Sequence, residues 1–152
     1  MMKMDIISVK SKLQSIQNIM NMYPQDSTEF SRAAREYTNL VYQNVKSRDL
    51  SLIGNSLKRP LTIEEESKLI VAGVNDQDIT GAIDLDLDTK ATLKLRAARR
   101  KSKMTQQQLA ERTNISQSQI AKIESGTVTI SLQKWQTLLK ATNSKELIKF
   151  SV

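Results

Sequence analysis

The sequence predicts an all-α protein, because turn-forming and aromatic residues are scarce and apolar residues recur at helical spacing. Only four Gly and two Pro occur in 152 residues, and aromatic residues make up 4% of the chain. A β-sandwich or barrel needs many turns and aromatic strands, which this composition does not supply. The absence of Cys and His excludes disulfides, Cys/His zinc sites, thiol nucleophiles and imidazole bases.

The charge is divided unequally along the chain, which points to a polyanionic partner. Residues 1–89 carry ten Lys or Arg and thirteen Asp or Glu, a net charge of −3, whereas residues 90–152 carry thirteen and three, a net charge of +10. Seven basic residues and no acidic one lie between Lys90 and Lys103. Such asymmetry favours a polyanion-binding protein, although a basic helix that only aids solubility would show it too.

Two amphipathic helices are predicted in the first third of the chain. Apolar residues spaced 3-4-3-4 over Ile6–Met20 share one face of the first helix, which Asp5 can cap and the turn at residues 23–27 can end. A second helix is predicted from about Ser27 to about Ser47. Joined by a short turn, the two helices form an αα-hairpin. Further apolar cover follows at Leu50, Leu52, Ile53 and Leu57.

The middle of the chain is predicted to connect two domains. Thr62 and Glu65 have the spacing of a capping box, which predicts a short helix that ends near Gly73. The acidic residues 75–89 follow, and Asp84–Asp88 alternates apolar and acidic residues as an edge strand or an extended linker would. The Gly and the terminal Glu of a calcium-binding loop are missing at the required offsets, so no metal site is predicted.

Two short helices joined by a three-residue turn follow the basic run. A basic helix is predicted at about Lys90–Ser102, and Thr105 and Ser116 are placed to cap the next two helices. Helices of about eight residues joined so tightly must cross steeply, which is a helix-turn-helix. Asn114 lies where the turn requires a left-handed residue, and Gly126 lies where the second helix ends. A further helix would bury Leu132, Trp135, Leu138 and Leu139.

The motif MTQQQLAERTNISQSQIAKIESG resembles the lambda-repressor-like helix-turn-helix family, the Xre or Cro/cI group of bacterial and phage regulators. The resemblance covers about residues 90–144. It implies a structural ion pair between Arg99 on the first helix and Glu124 at the end of the recognition helix. Asn114 stands where Gly is usual, and Ile130 stands where a Pro often precedes the fourth helix. Both departures concern local geometry rather than the fold.

The resemblance also implies how the module binds double-stranded DNA. The recognition helix lies in the major groove, which places Gln117 and Ser118 at the base-reading positions and Lys122 one turn further on. Gln106 matches a position that grips a phosphate and supports Gln117. Because one small module offers little surface, a homodimer on a palindromic operator is expected. The other candidate DNA-binding residues, several of them for backbone contacts, are Ser116, Gln119, Arg100, Lys101, Lys103, Thr127 and Thr129.

Three functions compete for the N-terminal ninety residues. In the first, they form an oligomerisation or effector domain of a plain repressor. In the second, the protein is an antitoxin, because residues 116–142 are similar to HigA-type antitoxins and the end, Leu147–Val152, alternates as a strand would. The acidic N-terminal part would then cover a basic ribonuclease toxin. In the third, the protein is an adaptor that docks another protein or RNA, against which the basic charge argues.

The sequence therefore predicts three segments and one function. Residues 1–60 are expected to form a helical oligomerisation or partner-binding domain, residues 61–88 a short helix and acidic linker, and residues 89–152 the DNA-binding domain. The predicted function is sequence-specific transcriptional regulation, most simply repression. No enzyme activity and no cofactor are expected, since no phosphate-binding loop or catalytic pair occurs. We expect no membrane span and no secretory signal, and the resemblance implies a cytoplasmic, nucleoid-associated protein of bacterial or phage origin.

Overall fold

The computed structural model describes residues 4–142, and every regular element in that range is helical. Contacts divide the chain after Asp84 into two compact units, named here the N-terminal and the C-terminal unit. The N-terminal unit contains α1 (Ile6–Met22), α2 (Thr28–Tyr42), α3 (Ser47–Leu57), α4 (Ile63–Val74) and a 3-10 turn (Ile79–Gly81). The C-terminal unit contains α5 (Leu87–Lys101), α6 (Gln106–Thr113), α7 (Gln117–Glu124) and α8 (Leu132–Ala141). None of these helices is long and apolar enough to cross a membrane.

The predicted αα-hairpin is present, with α1 packed against α2. Val9, Leu13 and Ile16, the centre of the predicted apolar stripe, are buried. The predicted cap of α1 forms, since Asp5 Oδ1 accepts a hydrogen bond from the N–H of residue 8 at 2.7 Å. At the start of α2, Ser27 Oγ accepts one from the N–H of residue 30 at 3.1 Å. The local sequence signals therefore set where these two helices start.

The second helix is shorter than the sequence predicts, and a third helix follows it. The helix α2 ends at Tyr42, and in the turn that follows the N–H of Val45 donates to the carbonyl of Val41 at 2.9 Å. The segment interpreted only as apolar cover forms α3, in which Ile53 is fully buried. Its apolar residues have helical spacing. The apolar pattern of α2 continues through residue 45, however, so the sequence does not reveal that one helix ends at Tyr42 and another begins at Ser47.

The helix α4 starts with the predicted capping box. The N–H of Glu65 donates to Thr62 Oγ1 at 3.1 Å, and the N–H of Thr62 donates to Glu65 Oε1 at 3.0 Å. This helix packs on α1 and α2, and the division between units falls after Asp84 rather than near residue 60. Residues 61–84 are thus part of the N-terminal unit in the structure, not a separate connection.

The acidic run forms helix caps rather than a strand. Asp78 Oδ1 accepts the N–H of Thr80 at 3.0 Å, and Asp86 Oδ1 accepts the N–H of Thr89 at the start of α5 at 2.7 Å. A carboxylate at these positions also interacts favourably with the helix dipole. Within residues 4–142, no group of three or more acidic side chains is arranged to hold a metal ion.

At Gly73, the helix α4 lies very close to the backbone of the turn between α2 and α3. A Cβ atom at Gly73, in α4, would overlap the backbone oxygen of Asn44 in the turn between α2 and α3. The turn itself is held by the Asn44 side-chain amide, which donates to the carbonyl of Leu40 at 2.7 Å. Only a residue without a side chain lets α4 pack this tightly against that turn.

We expect Gly73→Ala to destabilise the N-terminal unit by about 2 kcal/mol, because backbone must shift to admit the methyl group. Gly54→Ala is the matched control, since Gly54 lies inside α3 and a Cβ there would meet nothing within 4 Å. This control should stabilise the unit by about 0.5–1 kcal/mol through helix propensity. Urea unfolding followed by circular dichroism measures both. Two changes of the same sign would contradict the close approach at Gly73.

Candidate nucleic-acid interface

Caps and a tight turn place α6 and α7 as two short consecutive helices. At the start of α6, the N–H of Gln108 donates to Thr105 Oγ1 at 3.1 Å and the N–H of Thr105 donates to Gln108 Oε1 at 2.9 Å. Asn114 ends α6 with a φ of 59°, the left-handed conformation that the sequence predicts. Ser116 caps α7, with its Oγ accepting the N–H of Gln119 at 3.2 Å. The Ser116 oxygen therefore accepts a bond at the start of the helix, and its O–H group can still donate.

A Schellman motif ends α7 after eight residues. Gly126 has a φ of 76°, and its N–H donates to the carbonyl of Ile123 at 3.1 Å. The N–H and the hydroxyl of Thr127 both donate to the carbonyl of Lys122, at 3.3 and 3.1 Å. Thr127, which the sequence predicts to contact the DNA backbone, thus stabilises the end of α7.

An apolar core orients α7. Its inner residues Ile120 and Ile123 are 0% exposed and belong to a core to which α5, α6 and α8 contribute. The helices α5 and α6 each pack on both α7 and α8. The other buried members of this core are Ala91, Leu95, Met104, Leu109, Ala110, Trp135, Leu138 and Leu139. Since the inner face of α7 is fixed in the core, its opposite face is turned to solvent.

The solvent face of α7 carries residues that are predicted to bind DNA. Gln117 and Ser118, at the predicted base-reading positions, are exposed, and so are Gln119 and Lys122. Ala121 is exposed as well and lies between Gln117 and Lys122 by helical spacing. Sequence reasoning missed Ala121 because it has no polar group, although its methyl group can contact the methyl of thymine.

An open groove of about 530 Å³ runs beside α7. Four predicted residues line it, namely Ser116, Ser118, Gln119 and Lys122, together with the predicted Thr129 from the following loop. Sequence reasoning missed Val128, Ile130, Ser131 and Lys134, which also line it. The N-cap position of Ser131 was the available signal, because Ser131 Oγ accepts the N–H of Lys134 at 3.2 Å and so marks where α8 meets the groove.

The basic residues at the end of α5 form a separate exposed group. Arg100, Lys101 and Lys103 are exposed, and none of them lines the groove beside α7. Lys103 has a φ of 55°, and its N–H donates to the carbonyl of Arg100 at 3.0 Å in a second helix-ending turn. Cations at the C-terminal end of a helix interact favourably with its dipole, which is one reason for basic residues here besides phosphate contact.

Arg99 and Glu124 form the ion pair that the resemblance implies. Arg99 Nε donates to Glu124 Oε2 at 2.7 Å and Nη2 donates to Oε1 at 2.8 Å, a bidentate arrangement. Glu124 is 2% exposed, and its carboxylate raises the pKa of Arg99 above the ordinary value. A second arginine, Arg96, donates its Nε to the backbone carbonyl of Glu124 at 2.6 Å. The end of α7 is therefore clamped to α5 by two arginines.

Gln106 lies beside this cluster. Its side chain is half-buried, and Nε2 lies 3.5 Å from Glu124 Oε1, at the limit of hydrogen-bond distance. The position ties the start of α6 to the end of α7. The phosphate contact and the support for Gln117 stay predictions.

Comparison with known families identifies this segment. Residues 95–149 match a family model described as helix-turn-helix, over about a third of the chain. The C-terminal part is a helix-turn-helix domain. The matched segment is similar to the lambda-repressor-like Xre type, and the match supports a DNA-binding regulator. Neither the curated proteins nor the solved structures contain a significant match to the chain.

The family match extends past the described residues. The match runs to residue 149, whereas the last residue that the structure describes is Thr142. Thr142 is fully buried, and its carbonyl accepts a hydrogen bond from Ser102 Oγ. The strand expected at Leu147–Val152 lies outside the described residues. Residues 95–142, which both the match and the structure cover, contain the second half of α5 and all of α6, α7 and α8.

We expect Arg99→Met to destabilise the helix-turn-helix domain by about 3 kcal/mol, because the buried Glu124 carboxylate would lose its bidentate partner. Trp135, the single Trp of the chain, is 3% exposed and reports unfolding of this domain by fluorescence in urea. Arg112→Met is the matched control, since Arg112 is exposed and donates to the carbonyl of Ala141 at 3.3 Å. The control should change stability by less than about 0.5 kcal/mol. Equal losses in the two variants would contradict the clamp.

Proposed function

We propose that the protein is a sequence-specific DNA-binding transcriptional repressor that binds a palindromic operator as a homodimer. The observation that carries this proposal is the orientation of α7. Its apolar face is fully buried through Ile120 and Ile123, and its opposite face presents Gln117, Ser118 and Lys122 to solvent. In a helix-turn-helix protein this is the surface that enters the major groove.

The exposed side chains suit base recognition. The amide of Gln117 can donate to and accept from adenine N7 and N6 at once, and the Ser118 hydroxyl can serve several bases. Lys122 and Lys134 place positive charge along the groove beside α7. The proposal assigns backbone contacts to Arg100, Lys101 and Lys103, which would position the domain without reading sequence.

Dimerisation follows from the size of the reading surface. One helix of eight residues reaches only a few base pairs, and two copies one helical turn apart on a palindrome supply the missing specificity. A protein of this kind represses by covering a site that polymerase needs, which requires no catalytic group. The proposal places such a regulator in the cytoplasm with the nucleoid.

We expect Gln117→Ala to weaken operator binding by about 1–3 kcal/mol and to relax specificity at one base pair. An operator selected from random duplex DNA and one random duplex, each titrated by fluorescence anisotropy, measure the ratio of affinities. Gln14→Ala, an exposed Gln on α1, is the matched control and should leave the ratio unchanged. If Gln117→Ala also leaves the ratio unchanged, Gln117 does not read a base.

We expect Lys101→Ala to weaken binding to operator and random DNA alike, because a phosphate contact carries no sequence information. The slope of log affinity against log salt should fall in magnitude by about one unit. Lys12→Ala, an exposed Lys on α1, should leave the slope as it is. A loss confined to the operator would instead make Lys101 a base-reading residue.

A second candidate function is that of an antitoxin, which the separate N-terminal unit favours. The N-terminal unit, residues 1–84, carries ten Lys or Arg and eleven Asp or Glu, a net charge of −1, and it exposes large apolar side chains such as Ile7 (82% exposed) and Met22 (73% exposed). Such a surface fits a protein partner better than DNA. Light scattering on the tagged full chain purified from its native host separates the two functions. A homodimer alone supports the repressor, whereas a fixed-ratio complex with a basic ribonuclease supports the antitoxin.

A further inference from the structure

The N-terminal unit contains a cavity that the proposed DNA binding does not use. It has a volume of about 180 Å³, which is the liquid volume of about six water molecules and therefore suits a small organic molecule. Three residues with polar side chains, Tyr37, Tyr42 and Glu66, are among those that line it. Its apolar wall consists of Val41, Val45, Leu50, Leu61, Leu69 and Ile70.

Glu66 differs from the two glutamates that precede it. Glu64 lies 3.7 Å from Lys68 and 3.8 Å from Lys10, and Glu65 forms a bidentate ion pair with Arg59 at 2.7 and 2.9 Å. The hydrogen bonds from Arg59 and from the backbone of residue 62 lower the pKa of Glu65 to about 2. Within the range that the structure describes, no Lys or Arg side chain forms an ion pair with Glu66.

The contact that Glu66 makes instead is a hydrogen bond at the cavity wall. Tyr37 donates its hydroxyl proton to Glu66 Oε1 at 3.0 Å, and both residues are half-buried. Burial raises the pKa of Glu66, and burial beside this carboxylate raises the pKa of Tyr37 to about 12. A carboxylate withdrawn from water without a cationic partner is held at a cost, which a positively charged ligand would remove.

We propose that this cavity binds a small organic amine, with the ammonium group paired to Glu66 and the hydrocarbon body against the apolar wall. Tyr37 occupies one carboxylate oxygen and so leaves Oε2 for the ammonium, whose three N–H groups are all donors. The apolar wall gives the hydrocarbon body a favourable transfer from water. An anionic ligand would meet the charge of Glu66 and is disfavoured.

Amine binding in the cavity does not depend on DNA binding. The residues that line the cavity lie between positions 37 and 70, whereas the proposed reading residues lie in the helix-turn-helix domain. Amine binding can therefore fail while operator binding succeeds, and the reverse holds as well. The two proposals are tested by different ligands on the same full-length chain.

Isothermal titration calorimetry of the full chain with butylamine, hexylamine and 2-phenylethylamine tests the inference at neutral pH, where these amines are protonated. At least one amine should bind saturably with a Kd of about 1 mM or below. 2-Phenylethanol has nearly the same shape as 2-phenylethylamine without the charge, and it should bind about tenfold more weakly. This comparison uses the unaltered chain and so does not depend on the folding of any variant.

Glu66→Gln keeps the size of the side chain and an acceptor for Tyr37 but removes the charge, so amine affinity should fall about tenfold. Glu64→Gln makes the same change on the exposed neighbour and should leave the affinity unchanged. Three results would each overturn the inference: no saturable binding of any of the amines, equal affinity for amine and alcohol, or equal losses in the two variants.

Discussion

The buried ion pair between Arg99 and Glu124 is the interaction on which the geometry of the helix-turn-helix domain depends. Moving a carboxylate out of water costs several kcal/mol unless its partner is placed accurately. Arg99 meets both oxygens of Glu124 and also donates Nη1 to the carbonyl of Met104 at 3.0 Å, just before α6. One guanidinium therefore holds the last residue of α7 and the approach to α6, while Arg96 holds the backbone of Glu124. These bonds from α5 to Glu124 therefore help to fix the orientation of α7, whose exposed face lies on the other side of the helix.

The pair between Arg59 and Glu65 shows that burial, rather than geometry, gives the first pair its importance. Its distances are equally short, at 2.7 and 2.9 Å, but the Arg59 side chain is 49% exposed. Exposed pairs contribute about 0–1 kcal/mol because water competes for both partners. Glu65 is better understood as the capping-box residue that starts α4. Similar contacts thus act as a clamp in one unit and as a local helix start in the other.

Scarcity of glycine explains a second feature of the fold. The chain has four glycines, yet its helix ends need several left-handed residues. Among residues 4–142, Gly126 is the only glycine at such a position, whereas Lys58, Asp76, Lys103 and Asn114 adopt positive φ without being glycine. Each non-glycine residue in this conformation costs of the order of 1 kcal/mol, least for Asn and Asp. Packing of the helices against their cores offsets this cost, since the turns direct each following helix back onto its unit.

The sequence by itself determined the features that arise from neighbouring residues. The capping box at Thr62, the cap at Thr105, the left-handed Asn114 and the end of α7 at Gly126 could be predicted because a side chain and the backbone within five residues decide them. The all-helical fold and the helix-turn-helix followed from these signals and from apolar spacing. The pair of Arg99 with a residue 25 positions away followed from the resemblance alone.

Only the tertiary structure decided what depends on residues distant in the chain. It alone placed the carbonyl of Asn44 against Gly73 and brought Lys134 beside the start of α7. It also placed Glu66 in the lining of a cavity, whereas Glu64 and Glu65 form ion pairs with basic side chains. Local patterns are blind to these contacts, because the free energy of each depends on which helices pack together and on how closely. The sequence therefore predicts most of the helices, although not α3 or the end of α2, and packing decides the surroundings in which each polar side chain acts.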